Sequence, residues 1–284
     1  MNVEIPANPI KLDTSKNFYS NAVTMSSVFS RLIIIARNTF REAVRDRVLY
    51  NLVVFVLLIT ASAIFLGELT AGQEARTIVN LGLSAMLLFG AFISIFVGVS
   101  LVSKEIERRT LYAVLSKPVG RGEFIVGKYL GLCLTLLVNV LIMGAGVSLA
   151  LLYVGGGRLA FSIWGAVFLI FLELVILTAV AILFSSFSSP ALSALLTFLV
   201  FIIGNFSAAL REFAENLGST AAKVFFNFLY YFLPNLSHYS FITNAAHGDV
   251  PTFDVIGSAF LYALVYISIL IAASILIFSR RNFK

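Results

Sequence analysis

The sequence predicts an all-α membrane protein of six transmembrane helices, led in by an N-terminal amphipathic helix and interrupted before the last span by a re-entrant or interfacial hairpin. Three observations carry this. Of 284 residues, 60% are hydrophobic and 12% charged, against about 25% charged in a soluble domain. Apolar runs recur at the length of ~20 residues that ~30 Å of hydrocarbon demands. Basic residues collect on alternate sides of those runs. A disordered chain would be poor in aromatics, and this one has 27 Phe. A β-barrel would alternate apolar and polar residues, and runs such as Leu134–Val138 and Leu195–Ile203 do not. One cysteine, Cys133, leaves no disulfide framework, and two histidines argue against a Cys/His zinc cluster. No cofactor or metal is expected.

Residues 1–25 are polar and lack the apolar stretch of a signal peptide, so a disordered cytoplasmic tail is expected there. Residues 26–48 carry Arg31, Arg37, Arg41, Glu42, Arg45 and Asp46 on one side of a helix. Phe29, Leu32, Ile33, Ala36, Phe40, Ala43 and Val44 fall opposite. That pattern fits a helix in the cytoplasmic interface, its basic face among lipid headgroups, or a soluble helix packed on a partner. The spans follow at about 49–67, 79–102, 129–154, 163–184, 190–210 and 256–279. The apolar run Val224–Leu233 is too short to cross and ends at Pro234. It reads as interfacial or re-entrant, with a tilted seventh span as the alternative.

With the N-terminus in the cytoplasm, only Arg76, Arg158, Arg211 and Lys223 of the 20 basic residues fall outside. Six spans return the C-terminus, with Arg280, Arg281 and Lys284, to the same side. The net charge of +6 is thereby a topology signal, and no nucleic-acid partner is expected. Glu173 is the one formal charge inside a span. A carboxyl there is costly, so it marks a buried partner or a translocation route. It is either protonated or bonded to neighbours such as Asn139, Thr178 or Asn205. Gly90, Gly98, Gly131, Gly144 and Gly146 would permit close helix packing. His238, His247 and Asp249 read as ordinary loop residues.

The segment between spans two and three, Ser103–Tyr129, is longer than a simple connection requires. A charged start, Glu105 to Arg109, leads into the apolar Thr110–Leu115, and Lys117-Pro118 stops that short helix. An exposed apolar tip suits a docking element, and a linker flat on the lipid is the plainer alternative. Gly122–Lys128 matches GxxxxGK, but Tyr129 stands where a phosphate-binding loop needs Ser or Thr. No ATPase of the chain's own is expected.

Glu-x-Glu-Arg-Arg-Thr-Leu, then Leu-Ser-Lys-Pro-Val-Gly-Arg-Gly-Glu-Phe, then Gly-Lys opening a span, resembles the type-2 class of ABC transporter permeases. That class includes exporters of drugs, lipids and polysaccharides and the permease of nitrous oxide reductase maturation systems. Leu183–Ser189 looks like the family's inner turn. The resemblance runs from Ser26 to Phe283 and implies an exporter-type transmembrane domain over 26–284. By the same resemblance, 26–48 is an elbow helix and the short helix after span two a coupling helix. The protein would be a homodimer or homologous heterodimer in a prokaryotic cytoplasmic membrane, docked on two copies of a separate ATPase. The coupling residues implied are Glu105, Arg108, Arg109, Thr110, Leu111, Tyr112 and Leu115, and the route would lie between the two copies. An ion-coupled secondary transporter using Glu173 is the alternative. An intramembrane enzyme would need more catalytic groups in the spans than Glu173 supplies.

Overall fold

The computed structural model describes residues 14–44, 54–55, 58–59, 61–62, 65, 72–107, 120–207, 209–210, 212 and 220–280. Every regular element among them is helical: α1 (Thr14–Ala43), α2 (Glu74–Glu107), α3 (Arg121–Tyr153), α4 (Gly157–Ser162), α5 (Trp164–Ser185), α6 (Pro190–Asn205), α7 (Thr220–Phe232), a 3-10 turn at Leu236–Tyr239, α8 (Ile242–Ala246) and α9 (Phe253–Arg280). Among the described residues, four stretches are long and apolar enough to cross a bilayer: Glu74–Ser100, Gly122–Tyr153, Gly157–Ser185 and Phe253–Ser279. They coincide with the second, third, fourth and sixth expected spans. The first falls largely outside the described residues, although Phe55 and Ile59 from it are buried in the common core. The fifth is the shorter apolar helix Pro190–Asn205. Its helix is unbroken to Asn205, and after a turn at Phe206 the described residues Ser207, Ala209 and Leu210, up to the end the sequence suggested, are again helical.

α5 is the hub. It is apolar on every face, as a helix with protein on all sides should be, and all three buried clusters of the fold draw on it. Leu169, Leu172 and Ile176 meet Leu236, Tyr239, Ala259 and Ala263. Further along, Val175, Ala179 and Ile182 meet Phe124 and Ile125 of α3 and Leu270, Ile271 and Phe278 of α9. α9 is otherwise largely exposed, with Phe260, Leu261, Leu264 and Ile269 all at least half open.

Pairing registers give the relative helix directions. Gly90 lies against Leu174, and Gly98 against Ala181, so α2 and α5 run parallel. Ala75 meets Gly156, three residues past the end of α3, and Gly82 meets Val147 of α3, so α2 and α3 run antiparallel. Those are the relations expected when successive spans alternate in direction. The α2–α5 seam is also close: a Cβ on Gly98 would stand 3.0 Å from that of Ala181. Between the two glycines Ser94 Oγ donates to the Leu174 carbonyl at 3.3 Å.

α1 starts at Thr14, inside the stretch read as a tail, and lies along α3. Arg31 pairs with Glu123, Ile35 seats on Gly127, and Thr39 seats on Gly131. Each step is four residues on both helices, so the two run parallel. Thr39 and Ala43 are buried, while Phe29, Ile33, Ile34, Arg37 and Arg41 face outward. The apolar face is therefore split between α3 and the surroundings, where the sequence suggested a single stripe.

Gly98→Leu should cost about 1–3 kcal/mol by overpacking the α2–α5 seam. Gly257, on the open side of α9, has nothing within 4 Å of an added Cβ, and Gly257→Leu should leave stability unchanged. Thermal unfolding of the two variants in detergent measures the difference, and equal melting temperatures would refute the close seam.

Candidate functional site

Glu173 sits midway along α5 and is 1% exposed. Its neighbours Leu172 and Leu174 are buried with it, so α5 alone offers the carboxyl no polar company. The partner comes from α6. Asn205 Nδ2 donates to Glu173 Oε1 at 2.8 Å and also lies 3.1 Å from the Phe201 carbonyl of its own helix. Of the three partners considered from sequence, Asn205 is the one brought to Glu173. Asn139 turns its amide back to the Thr135 carbonyl at 2.7 Å, and Thr178 donates to the Leu174 carbonyl at 2.9 Å.

Asn205 is also the last residue of α6 before a break at Phe206, and the hairpin packs against that break. Gly204 faces the segment after α7: an added Cβ would stand 2.8 Å from the Pro234 carbonyl and from Leu236. Only a residue without a side chain lets that backbone come so near. Ser207, just past the helix end, donates to Asn235 Oδ1 at 2.7 Å. Ser237 donates to the same oxygen at 2.6 Å. Asn235 thereby binds the end of α6 to the turn.

The turn itself is non-helical backbone packed among apolar helices, and such backbone must find partners inside the protein. Two tyrosines of α9 supply them. Tyr266 donates to the Phe232 carbonyl at 3.1 Å, and the Asn235 N–H donates to the Tyr262 phenol at 3.0 Å. Tyr230 takes a bond from Asn235 Nδ2 at 3.2 Å, and Tyr239 donates to the Ala259 carbonyl at 2.9 Å. The rings stack as well: Tyr262 and Tyr266 lie 5.7 Å apart, and His238 rests against Tyr239 and Tyr262. Sequence reasoning passed over Asn235, Tyr262 and Tyr266. The available signal was two tyrosines four apart on one face of an apolar span, downstream of a Pro-Asn turn.

The expected coupling residues fare differently. Glu105 lies near the end of α2. Arg108, Arg109, Thr110, Leu111, Tyr112 and Leu115 lie outside the described residues. The chain is described again from Gly120, whose extended backbone admits it to α3. Gly122–Lys128, the GxxxxGK match, is continuous helix there. From Phe124 onward its amides enter the helical ladder, where a phosphate-binding loop would aim them at a ligand. Gly127 instead receives Ile35, and Lys128 is buried with its Nζ 5.3 Å from the Phe124 ring centroid.

Comparison with known proteins adds a family. Residues 33–283 match the family described as ABC-2 family transporter protein. Among curated relatives, a Pseudomonas aeruginosa protein named as the ABC transporter permease NosY is 29% identical over 122 residues, covering 42% of this chain and 44% of that one. Its namesake from Stutzerimonas stutzeri is 27% identical over 135 residues, covering 46% and 49%. In each case the chain spans about half the length of the relative it matches.

Asn205→Ala withdraws a donor from a buried carboxyl and should destabilise the fold by about 1–3 kcal/mol. Glu173→Leu should cost a similar amount by stranding the Asn205 amide. Replacing both by Leu should cost less than the sum, with a coupling of about 0.5–3 kcal/mol in a double-mutant cycle. Unfolding titrations in mixed micelles measure it, and strictly additive losses would show that the pair carries no energy.

Proposed function

This chain belongs to the ABC-2 transporter family, and from that premise we propose that it is the permease subunit of an ATP-binding cassette transporter. It forms the membrane path, works as a pair of copies in a prokaryotic inner membrane with both termini cytoplasmic, and moves its substrate outward. A separate ATPase subunit supplies ATP hydrolysis. The observation that carries the reading is the family match over 33–283, nearly the whole helical bundle. The relatives named as ABC transporter permeases support it.

In this reading the segment from Glu105 to Leu115, between the ends of α2 and α3, is the docking element. Arg108, Arg109 and Thr110 offer the charged and polar contacts, and Leu111, Tyr112 and Leu115 the apolar tip. The face formed by α2 and α6 suits the second copy and the route. Phe92, Phe96 and Phe198 line it with stacked rings, Phe92 standing 6.1 Å from Phe96 and 6.5 Å from Phe198. Between them, with Ile95, Ala194 and Leu195, runs an apolar groove of about 340 Å³.

Glu173 is better used as a tie between α5 and α6 than as a carrier site, because its carboxyl is already engaged with Asn205 at the closed end of α6. An ion-coupled carrier would depend on that carboxyl directly, and an ATP-driven one would not.

The test is co-purification. An ATPase subunit should co-purify with the chain, and Leu111→Asp with Tyr112→Asp should abolish its capture while the permease stays folded in the membrane. Glu173→Gln should alter turnover only modestly. Capture that survives both aspartates would sink the docking assignment. Transport abolished by Glu173→Gln and indifferent to ATP would favour the ion-coupled reading.

A further inference from the structure

α1 and α3 meet along three successive levels, and the first differs in kind from the other two. At Gly127 the intruding atoms are the Cβ and Cγ2 of Ile35, and at Gly131 they are Thr39 and the Ala36 carbonyl. These are close apolar contacts that fix how near the helices come. At Glu123 the contact is ionic. Arg31 Nη2 donates to Glu123 Oε1 at 3.1 Å, and Arg31 Nε stands 3.1 Å from Oε2 as a charge contact without a hydrogen bond. A charge-assisted hydrogen bond is directional, as the packing contacts are not.

Its position gives the pair a further role. Glu123 lies in the first turn of α3, immediately after the segment 108–119. Arg31 lies in α1, upstream of the expected first span. One ion pair with a single hydrogen bond therefore joins the helix that leads into the bundle to the first turn of the helix that follows the docking segment. Apolar contacts between helices can slide in lipid, because lipid tails are as apolar as the partner. A hydrogen-bonded ion pair does not slide without breaking.

Resting on the permease reading above, we propose that Arg31 and Glu123 are a positioning pair. They lock α1 to the cytoplasmic end of α3, so that movement received at the docking segment shifts both helices as one body. Neither residue touches substrate or nucleotide, and their role is to keep α1 in register with α3 under load.

The experiment uses the full chain with its ATPase in lipid nanodiscs, in a Cys133→Ala background. One arm places a cysteine at Thr39, which is 2% exposed against α3, and follows its labelling by N-ethylmaleimide. The other places a cysteine at Phe96, which is 59% exposed, and follows the change in labelling when ATP and vanadate trap the ATPase. R31E and E123R should each raise Thr39→Cys labelling about tenfold and erase most of the nucleotide-dependent change at Phe96→Cys, with the ATPase still captured. The R31E/E123R swap should restore both. If a reversal fails to assemble, R31Q and E123Q replace it, with the same pattern at smaller amplitude. Unchanged labelling at Thr39→Cys in the single variants overturns the proposal. So does failure of the swap to restore it, or a nucleotide response that persists after α1 is released. If the unsubstituted chain captures no ATPase, the permease reading fails and the transmission role with it. The Thr39→Cys arm still decides whether the pair holds α1.

Discussion

A helix meets its own backbone hydrogen bonds, and hydrocarbon meets none. That constraint organises this molecule. Wherever the chain leaves helical geometry among apolar helices, each freed N–H or C=O costs several kcal/mol unless the protein answers it. The turn after α7 is such a case among the described residues, and several polar side chains gather on it. Tyr262 and Tyr266 suit the task because a phenol ring is apolar along its length and polar only at its tip. They lie within α9 as apolar residues would and still reach the Asn235 amide and the Phe232 carbonyl. Gly204 completes the arrangement by letting α6 come close enough for Ser207 to bind Asn235.

The same constraint applies at the last residue of α6. The Asn205 side chain is held between the Phe201 carbonyl and Glu173. The carboxyl in the central helix is thereby hydrogen-bonded to α6. Such an anchor restrains α6 against α5 at one level only. The opposite end of α6 is held by the serine turn, where Ser188 and Ser193 share a 2.6 Å bond.

Much of this was legible in the sequence, and the division is physical. Span positions follow from length and hydropathy, properties of a segment by itself, so the second, third, fourth and sixth spans were readable from composition. The stop before Pro234 was readable because proline acts locally. Pair choice was not. Asn139, Thr178 and Asn205 are equivalent on paper, and only the packing of α5 selects among them. Arg31 and Glu123 are 92 residues apart, and each looks like an ordinary interfacial charge. The glycines fell between these cases. Gly90, Gly98 and Gly131 were recognisable as places of close approach, but which helix approaches each is fixed by the fold.

In water, apolar helices hold together because separating them exposes oil to solvent. In lipid that penalty is nearly absent, and shape and polar ties decide which helices travel together. By that criterion α3 carries α1 through the Arg31–Glu123 pair. α5 carries α6 through Asn205. α9 carries the turn through its tyrosines, and α2 is keyed to α5 by Ser94 and its flanking glycines. The contact of α2 with α6 is of another kind. Phe92, Ile95 and Phe96 meet Ala194, Leu195 and Phe198, apolar throughout. Parting those two helices exchanges aromatic contact for lipid contact and breaks no polar bond among these residues.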